Sequence, residues 1–282
     1  MKSGFVALVG RSNVGKSTLL NTLVGTKIAA TSFRPQMTRN IIHGVMTTPE
    51  GQAIFVDTPG VFRDHHNALS GKLEKKIHEA VEEIDVLVYV VDPSREIGPE
   101  ERATYSMVRR VEKPKILVIN KSDLTSRDRA YQADYERLGK EFDAVCLLSA
   151  LRGSHVQPLK AAVMSLLPEG ELLYPEEQMT NINKEFWVAE IIREKTFSVL
   201  EKEVPYSLTV EVDAIEEKPD VTVITARVIT MADRYKKMII GEGGHKIKEI
   251  GTMARRELEQ AINKKVFLQL EVEVDSHWIE RV

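Results

Sequence analysis

Gly10-Arg11-Ser12-Asn13-Val14-Gly15-Lys16-Ser17 follows directly on the apolar run Phe5–Val9 and leads into a helical pattern. Glycines at the first and sixth positions let a backbone curl around an anion, and a lysine and a hydroxyl stand where the helix begins. Consecutive amides and the positive end of that helix present unpaired N–H groups to a phosphate. Lys16 is expected to reach the β- and γ-phosphates, the Ser17 hydroxyl to ligate Mg²⁺, and Thr18 to meet the α-phosphate. An accidental glycine-rich turn is the competing reading, and the strand-loop-helix setting argues against it.

Three further strings support the same site, each at the end of an expected strand. Asp57-Thr58-Pro59-Gly60 supplies an acid for Mg²⁺ and a glycine amide for the γ-phosphate. Asn120-Lys121-Ser122-Asp123 places a carboxylate that can accept from the N1 and N2 donors of guanine, a pair that adenine lacks. In Ser149-Ala150-Leu151 the Ala150 amide can donate to guanine O6. The ligand read from these strings is GTP or GDP with Mg²⁺.

Outward from the loop, short β-branched runs alternate with helical patterns as far as Leu167: 5–9, 41–48, 53–57, 84–92, 115–119 and 145–148. This alternation predicts a mostly parallel six-stranded sheet with helices on both faces, the fold class α/β. The turn Pro49-Glu50-Gly51-Gln52 predicts one antiparallel edge. A stretch rich in proline, glycine and acids then breaks the pattern. The expected organisation is a nucleotide-binding domain over 1–170, a linker over 171–183 and a second domain over 184–282.

The second domain reads α-β-β-α-α-β. Between its two middle helices lies Ile240-Gly241-Glu242-Gly243-Gly244-His245, flanked by Lys236, Lys237, Lys246 and Lys248. From Ala226 to Lys265 ten Lys/Arg face five acids, a local surplus of five positive charges in a chain of net charge −3. A solvated helix face is the plain reading of the lysines, and phosphate contact the functional one. Trp187 and Trp278 are read as packing residues and Cys146 as core. At 282 residues, 43% hydrophobic and 29% charged, the chain has room for two cores. No run approaches the roughly 20 apolar residues of a membrane helix, and the N-terminus carries no signal-like leader.

The nucleotide motifs resemble those of translation-factor-type GTPases and match the bacterial Era family closely. Thr31–Arg39 resembles that family's first switch, which implies that Thr38 closes on Mg²⁺ and the γ-phosphate, with Met37 replacing a threonine. The glycine loop resembles a type II KH domain, which implies a groove for about four unpaired bases. Val188–Lys195 and Glu203–Ser207 extend the likeness over nearly the whole chain.

The resemblance implies binding to the 3′ region of small-subunit ribosomal RNA and a part in assembling the small ribosomal subunit. The last strand, Leu270–Asp275, is acidic where relatives are often basic. A cytoplasmic monomer is expected, with peripheral contact at the inner membrane at most. A second reading sends the GTPase to RNA modification or the membrane surface, with the KH-like unit docking a protein; Asn120–Asp123 speaks against a metabolic enzyme.

Hydrolysis is assigned to Lys16, Thr38, Gly60 and Asn13. Val61 stands where Ras-type enzymes place a water-orienting glutamine, so slow intrinsic turnover is expected. Two readings of Asn13 stand side by side: a loop asparagine at an unusual backbone angle, or, as in related GTPases without the glutamine, a ligand for K⁺ beside the phosphates. Arg63, His65 and His66 are read as solvated.

Overall fold

Val86-Leu87-Val88-Tyr89-Val90-Val91 is apolar at every position, and all six side chains are buried. A strand covered on both faces has no polar side, so its sequence does not alternate. This strand, β4, lies inside a six-stranded sheet of order β2-β3-β1-β4-β5-β6. The others are β1 (Lys2–Val9), β2 (Ile42–Thr48), β3 (Gly51–Asp57), β5 (Lys115–Ile119) and β6 (Ala144–Leu147). The computed structural model describes residues 1–32, 37–60, 83–201 and 204–281. Within the segments read above, Phe33–Gln36, Val61, Arg63, His65, His66 and Glu203 lie outside that set.

All pairings in this sheet are parallel except β2 with β3, which run antiparallel from Ile42 opposite Asp57 to Thr48 opposite Gly51. The expected hairpin and the expected mostly parallel sheet are both present. Helices α1 (Lys16–Val24), α2 (Pro99–Arg110) and α3 (Gln132–Leu138) lie between strands, and α4 (Gln157–Leu166) follows β6. From β1 the chain passes to β2 and β3 on one side and then to β4 on the other, so the order reverses at β1. Such a reversal opens a crevice at the carboxyl ends of the strands, where open α/β sheets bind ligands.

The chain divides into Met1–Asn181 and Ile182–Val282. The stretch read as a linker from 171 onward is tied, up to Asn181, to the first unit. Its backbone reaches the buried side chain of Gln52: the Leu173 and Tyr174 amides donate to Oε1 at 3.0 and 2.9 Å, and Nε2 donates to the Tyr174 carbonyl at 3.0 Å. Val45 N–H donates to the Met179 carbonyl, and His43 N–H to Asn181 Oδ1. Composition suggests a free connector here, but main-chain groups of Leu173, Tyr174 and Met179 and the Asn181 side chain find partners on the sheet.

The second unit has the order α5 (Lys184–Val199), β7 (Leu208–Glu217), β8 (Val221–Thr230), α6 (Asp233–Ile240), α7 (His245–Ile262) and β9 (Lys265–Val274). β8 is central, antiparallel to β7 and parallel to β9. Its core includes Ile191, Ile192, Leu208, Ala226, Val228, Ile239, Ile250, Ala254 and Leu258. Each Ile, Leu or Val side chain withdrawn from water here contributes about 1.5–3 kcal/mol before entropy is counted. Trp278 is wholly buried and Trp187 packs against the core. Asn183 caps α5 by accepting from the Phe186 amide at 2.8 Å. Among the described residues, no helix is long and apolar enough to cross a membrane.

Candidate functional site

The loop after β1 turns on Gly15, whose φ of 101° disfavours any side chain. Space forbids one as well, since an added Cβ would lie 2.4 Å from Asn120 Nδ2. Asn13 adopts φ 64°, the left-handed angle that the first of its two readings requires. Lys16, 6% exposed, donates to the carbonyls of Gly10 at 2.9 Å and Arg11 at 3.3 Å, so its ammonium is held over the loop. Burial lowers its pKa from 10.5 to about 8, against the opposing attraction of Asp57 and Glu101.

Three residues from separate elements meet beside this loop. Ser17 Oγ donates to Asp57 Oδ2 at 2.6 Å and lies 2.9 Å from Thr38 Oγ1, which in turn lies 3.4 Å from the same carboxylate oxygen. Burial raises the Asp57 pKa, opposed by Lys16 and by the Ser17 and Thr38 hydroxyls. Among the described residues, its Oδ1 is buried without a hydrogen-bond partner. A buried carboxylate oxygen lacking a donor beside two hydroxyls fits a hard, oxygen-seeking cation such as Mg²⁺. Gly60, at the end of the same acidic string, abuts the loop, because a Cβ there would meet Ser12 Oγ at 2.5 Å. Its main chain is thus close to where a terminal phosphate would dock.

At the far side, Asn120 joins two loops. Its Nδ2 donates to the Val14 carbonyl at 2.8 Å, and its Oδ1 accepts from the Ala150 amide at 2.9 Å. The amide expected to meet guanine O6 is therefore bonded to Asn120 in this structure. Asp123 is exposed, and its Oδ1 accepts from Ser149 Oγ at 2.5 Å, which fixes one carboxylate oxygen. Thr22 Oγ1 donates to the Ala150 carbonyl at 2.7 Å, linking α1 to the same loop. Leu151 is 71% exposed, its apolar side chain open to solvent.

Sequence reading passed over Asp92. Its Oδ2 pairs with Lys121 Nζ at 2.6 Å, and its Oδ1 accepts from the amide and hydroxyl of Ser94. Burial opposes ionisation, but the Lys121 and Ser94 contacts hold the pKa below the usual carboxylate value. No local signal marks this residue, because its partner lies in another loop.

In the second unit, Gly241, Gly243 and Gly244 have φ of 74°, 59° and 78°, and the turn joins α6 to α7. Added Cβ atoms at Gly243 and Gly244 would meet nothing within 4 Å, so the backbone is open there. Gly244 caps the N-terminus of α7, an end that favours anions. Lys237, His245 and Lys248 are exposed, and Lys236 and Lys246 are half-buried. Ile239 is fully buried before the turn and Ile250 after it, while Ile240 is half-buried.

The positive surplus read from sequence is smaller in the fold. Arg227 is engaged by Asp213 and Glu273, both outside the counted stretch, with Glu211 nearby. Acidic Glu273 thus neutralises a neighbouring arginine.

A phosphate cradle, a metal-ready trio and a base loop gathered at one end of a parallel sheet define a P-loop GTPase, here followed by a KH unit. A family model described as 50S ribosome-binding GTPase matches residues 5–121, and one described as KH domain matches residues 203–279. GTPase Era of Halothermothrix orenii is 39% identical over 281 residues, covering 99% of this chain and 95% of that one. GTPase Era of a Thermoanaerobacter species is 41% identical over 280 residues, covering 98% and 92%. The chain belongs to the GTPase Era family. A crystal structure of Era in complex with MgGDPNP and nucleotides 1506–1542 of 16S ribosomal RNA superposes with a TM-score of 0.92 at 35% identity, covering all of this chain and 96% of that one. An Aquifex aeolicus Era variant bound to GDP·AlF₄⁻ gives 0.91 at 35% identity.

Proposed function

We propose that this GTPase uses its nucleotide state to control binding of the 3′ region of small-subunit ribosomal RNA, and so assists assembly of the small ribosomal subunit as a cytoplasmic monomer. The observation that carries the RNA half is the Gly241–Gly244 turn, open at Gly243 and Gly244, between two helix ends beside four lysines. A nucleic-acid backbone can approach such a turn closely, its phosphates meeting the start of α7 and the lysines. The related Era crystallised with 16S ribosomal RNA supports the choice of RNA. The matching family description names the 50S subunit but covers residues 5–121 alone, outside the unit with the glycine turn.

In this reading the loop 10–18 holds the phosphates, Asn120, Lys121, Asp123 and 149–151 hold guanine, and Ser17, Thr38 and Asp57 hold Mg²⁺. The ion, when bound, neutralises charge on the β- and γ-phosphates. Thr38 and Gly60 respond to the γ-phosphate, and their loops relax after hydrolysis. The proposal extends to K⁺ at Asn13.

Filter binding of the full chain to a 3′-end small-subunit RNA fragment, with an internal fragment of equal length as control, tests the proposal. Equal affinity for both would remove it. Gly243→Asp adds a charge on the open face while keeping a residue type that tolerates positive φ. We expect RNA affinity to fall about tenfold, as loss of one or two favourable phosphate contacts would produce, with an unchanged circular dichroism spectrum.

Lys16 gives this site a pH signature. Its pKa of about 8 in the nucleotide-free chain lies below the unfolded value of 10.5, so between these limits the unfolded chain holds more protons. The group's penalty on nucleotide-free stability is therefore full below pH 8 and fades as pH rises toward 10.5. Bound phosphates favour the ammonium and push the pKa back up. GDP binding near pH 9 should take up a proton, and affinity should weaken as pH rises above 8; calorimetry in buffers of different ionisation enthalpy reads this directly.

A further inference from the structure

Arg11, the second residue of the phosphate loop, is 4% exposed. Its Nε lies 2.6 Å from Glu101 Oε2 in α2, and its Nη2 donates to the Tyr135 hydroxyl in α3 at 3.1 Å. That hydroxyl lies 3.0 Å from both Glu101 Oε2 and the Arg95 carbonyl, and Tyr89 OH bonds the other Glu101 oxygen. Glu101, Tyr135 and Tyr89 are wholly buried.

Replacing a buried ion pair by apolar groups of like volume is often neutral for stability. Fold stability alone is thus a weak reason for charges here, whereas their location supplies another. The Arg11 carbonyl is one of the two that hold Lys16, and the next carbonyl, of Ser12, accepts from Arg95 Nη1 at 3.1 Å. The second half of the loop is held separately, through Asn120 and the Val14 carbonyl. Apart from Lys16, which ties the two halves together, each half therefore has an anchor of its own.

We propose that Arg11, Glu101 and Tyr135 are positioning residues that fix the first half of the phosphate loop, and thereby set how tightly the phosphate end of the nucleotide is held. None of the three needs to touch nucleotide. The proposal rests on the reading of residues 10–17 as the phosphate site. Misplacement of a binding group by about 1 Å can weaken its action by up to a hundredfold, so a relaxed loop has a measurable consequence.

The test uses the full chain carrying Arg11→Met with Glu101→Leu, which removes both charges and keeps the volume. Displacement of a fluorescent GDP analogue by excess GDP should be about tenfold to a hundredfold faster than in the parent, with a modest fall in the nucleotide-free melting temperature because the buried Tyr89 hydroxyl loses its acceptor. The preference for GDP over GMP should shrink while that for GDP over ADP stays, because the defect lies at the phosphates and not at the base. Tyr135→Phe should shift the release rate in the same direction, less far, and serves if the double variant fails to fold. Release within twofold of the parent in whichever variant folds overturns the proposal, as does equal erosion of both preferences. Lys16→Ala run alongside separates the two readings: if it too leaves GDP binding intact, the phosphate-site reading has failed, and if it alone weakens binding about thirtyfold or more, only the positioning proposal has.

Discussion

Lys16→Ala is expected to weaken GDP binding by about 2–5 kcal/mol, the loss seen when one partner of a buried, hydrogen-bonded charge pair is truncated. This corresponds to roughly thirtyfold to several thousandfold in Kd, and titration calorimetry in magnesium buffer measures it. The ammonium is buried and already desolvated, held by the Gly10 and Arg11 carbonyls, so the approach of phosphate requires little further stripping of water. The same geometry predicts how the empty variant behaves. Burial penalises the charged form in the nucleotide-free chain, which is why the pKa falls to about 8. Removing the charge should leave the nucleotide-free melting temperature unchanged or raised. A variant that loses both binding and melting temperature would point to collapse of the loop instead, and a Kd within threefold of the parent would remove Lys16 from the site.

Asp123→Asn should exchange the base preferred. The parent carboxylate has one oxygen fixed by Ser149 at 2.5 Å, which orients the group toward the pocket edge. An asparagine there offers one acceptor and one donor, the pattern that suits the N1–H and O2 of xanthine, while guanine N2–H₂ would face another N–H donor. GDP affinity should fall by about 2–5 kcal/mol, and xanthosine diphosphate should become the tighter ligand in a competition assay. Unchanged GDP preference would show that a different group selects the base. Asn120 is a poorer target for this question, since it bonds both Val14 and Ala150 and its removal loosens two loops at once.

The parts of this architecture that are local in sequence are readable from it. The apolar runs of β3 and β4 lack alternation because both faces are covered, and the phosphate loop declares itself through glycine spacing. Ser17, Thr38 and Asp57 were each assigned to a metal separately, and the fold brings their oxygens together. What the sequence hides is pairing across distance. Arg11 with Glu101, Asp92 with Lys121, and Gln52 with Tyr174 are each far apart along the chain, and none carries a spacing signal. Charge counting misleads for the same reason: Arg227 adds to the surplus counted over 226–265, yet Asp213 and Glu273, outside that window, absorb it.

The anchoring of 171–181 bears on where this protein can be divided. β2 is the outermost strand on its side of the sheet, and the Val45 amide there bonds Met179. A fragment ending at residue 170 would strip that amide of its acceptor and leave the interior Gln52 carboxamide without the Leu173 and Tyr174 groups that satisfy it. An unsatisfied buried polar group costs about 1–3 kcal/mol, and a bare outer strand is a template on which other chains can add. The stretch that composition marks as a spacer is therefore the sheet's own selvedge, and a stand-alone GTPase fragment has to run to Asn181.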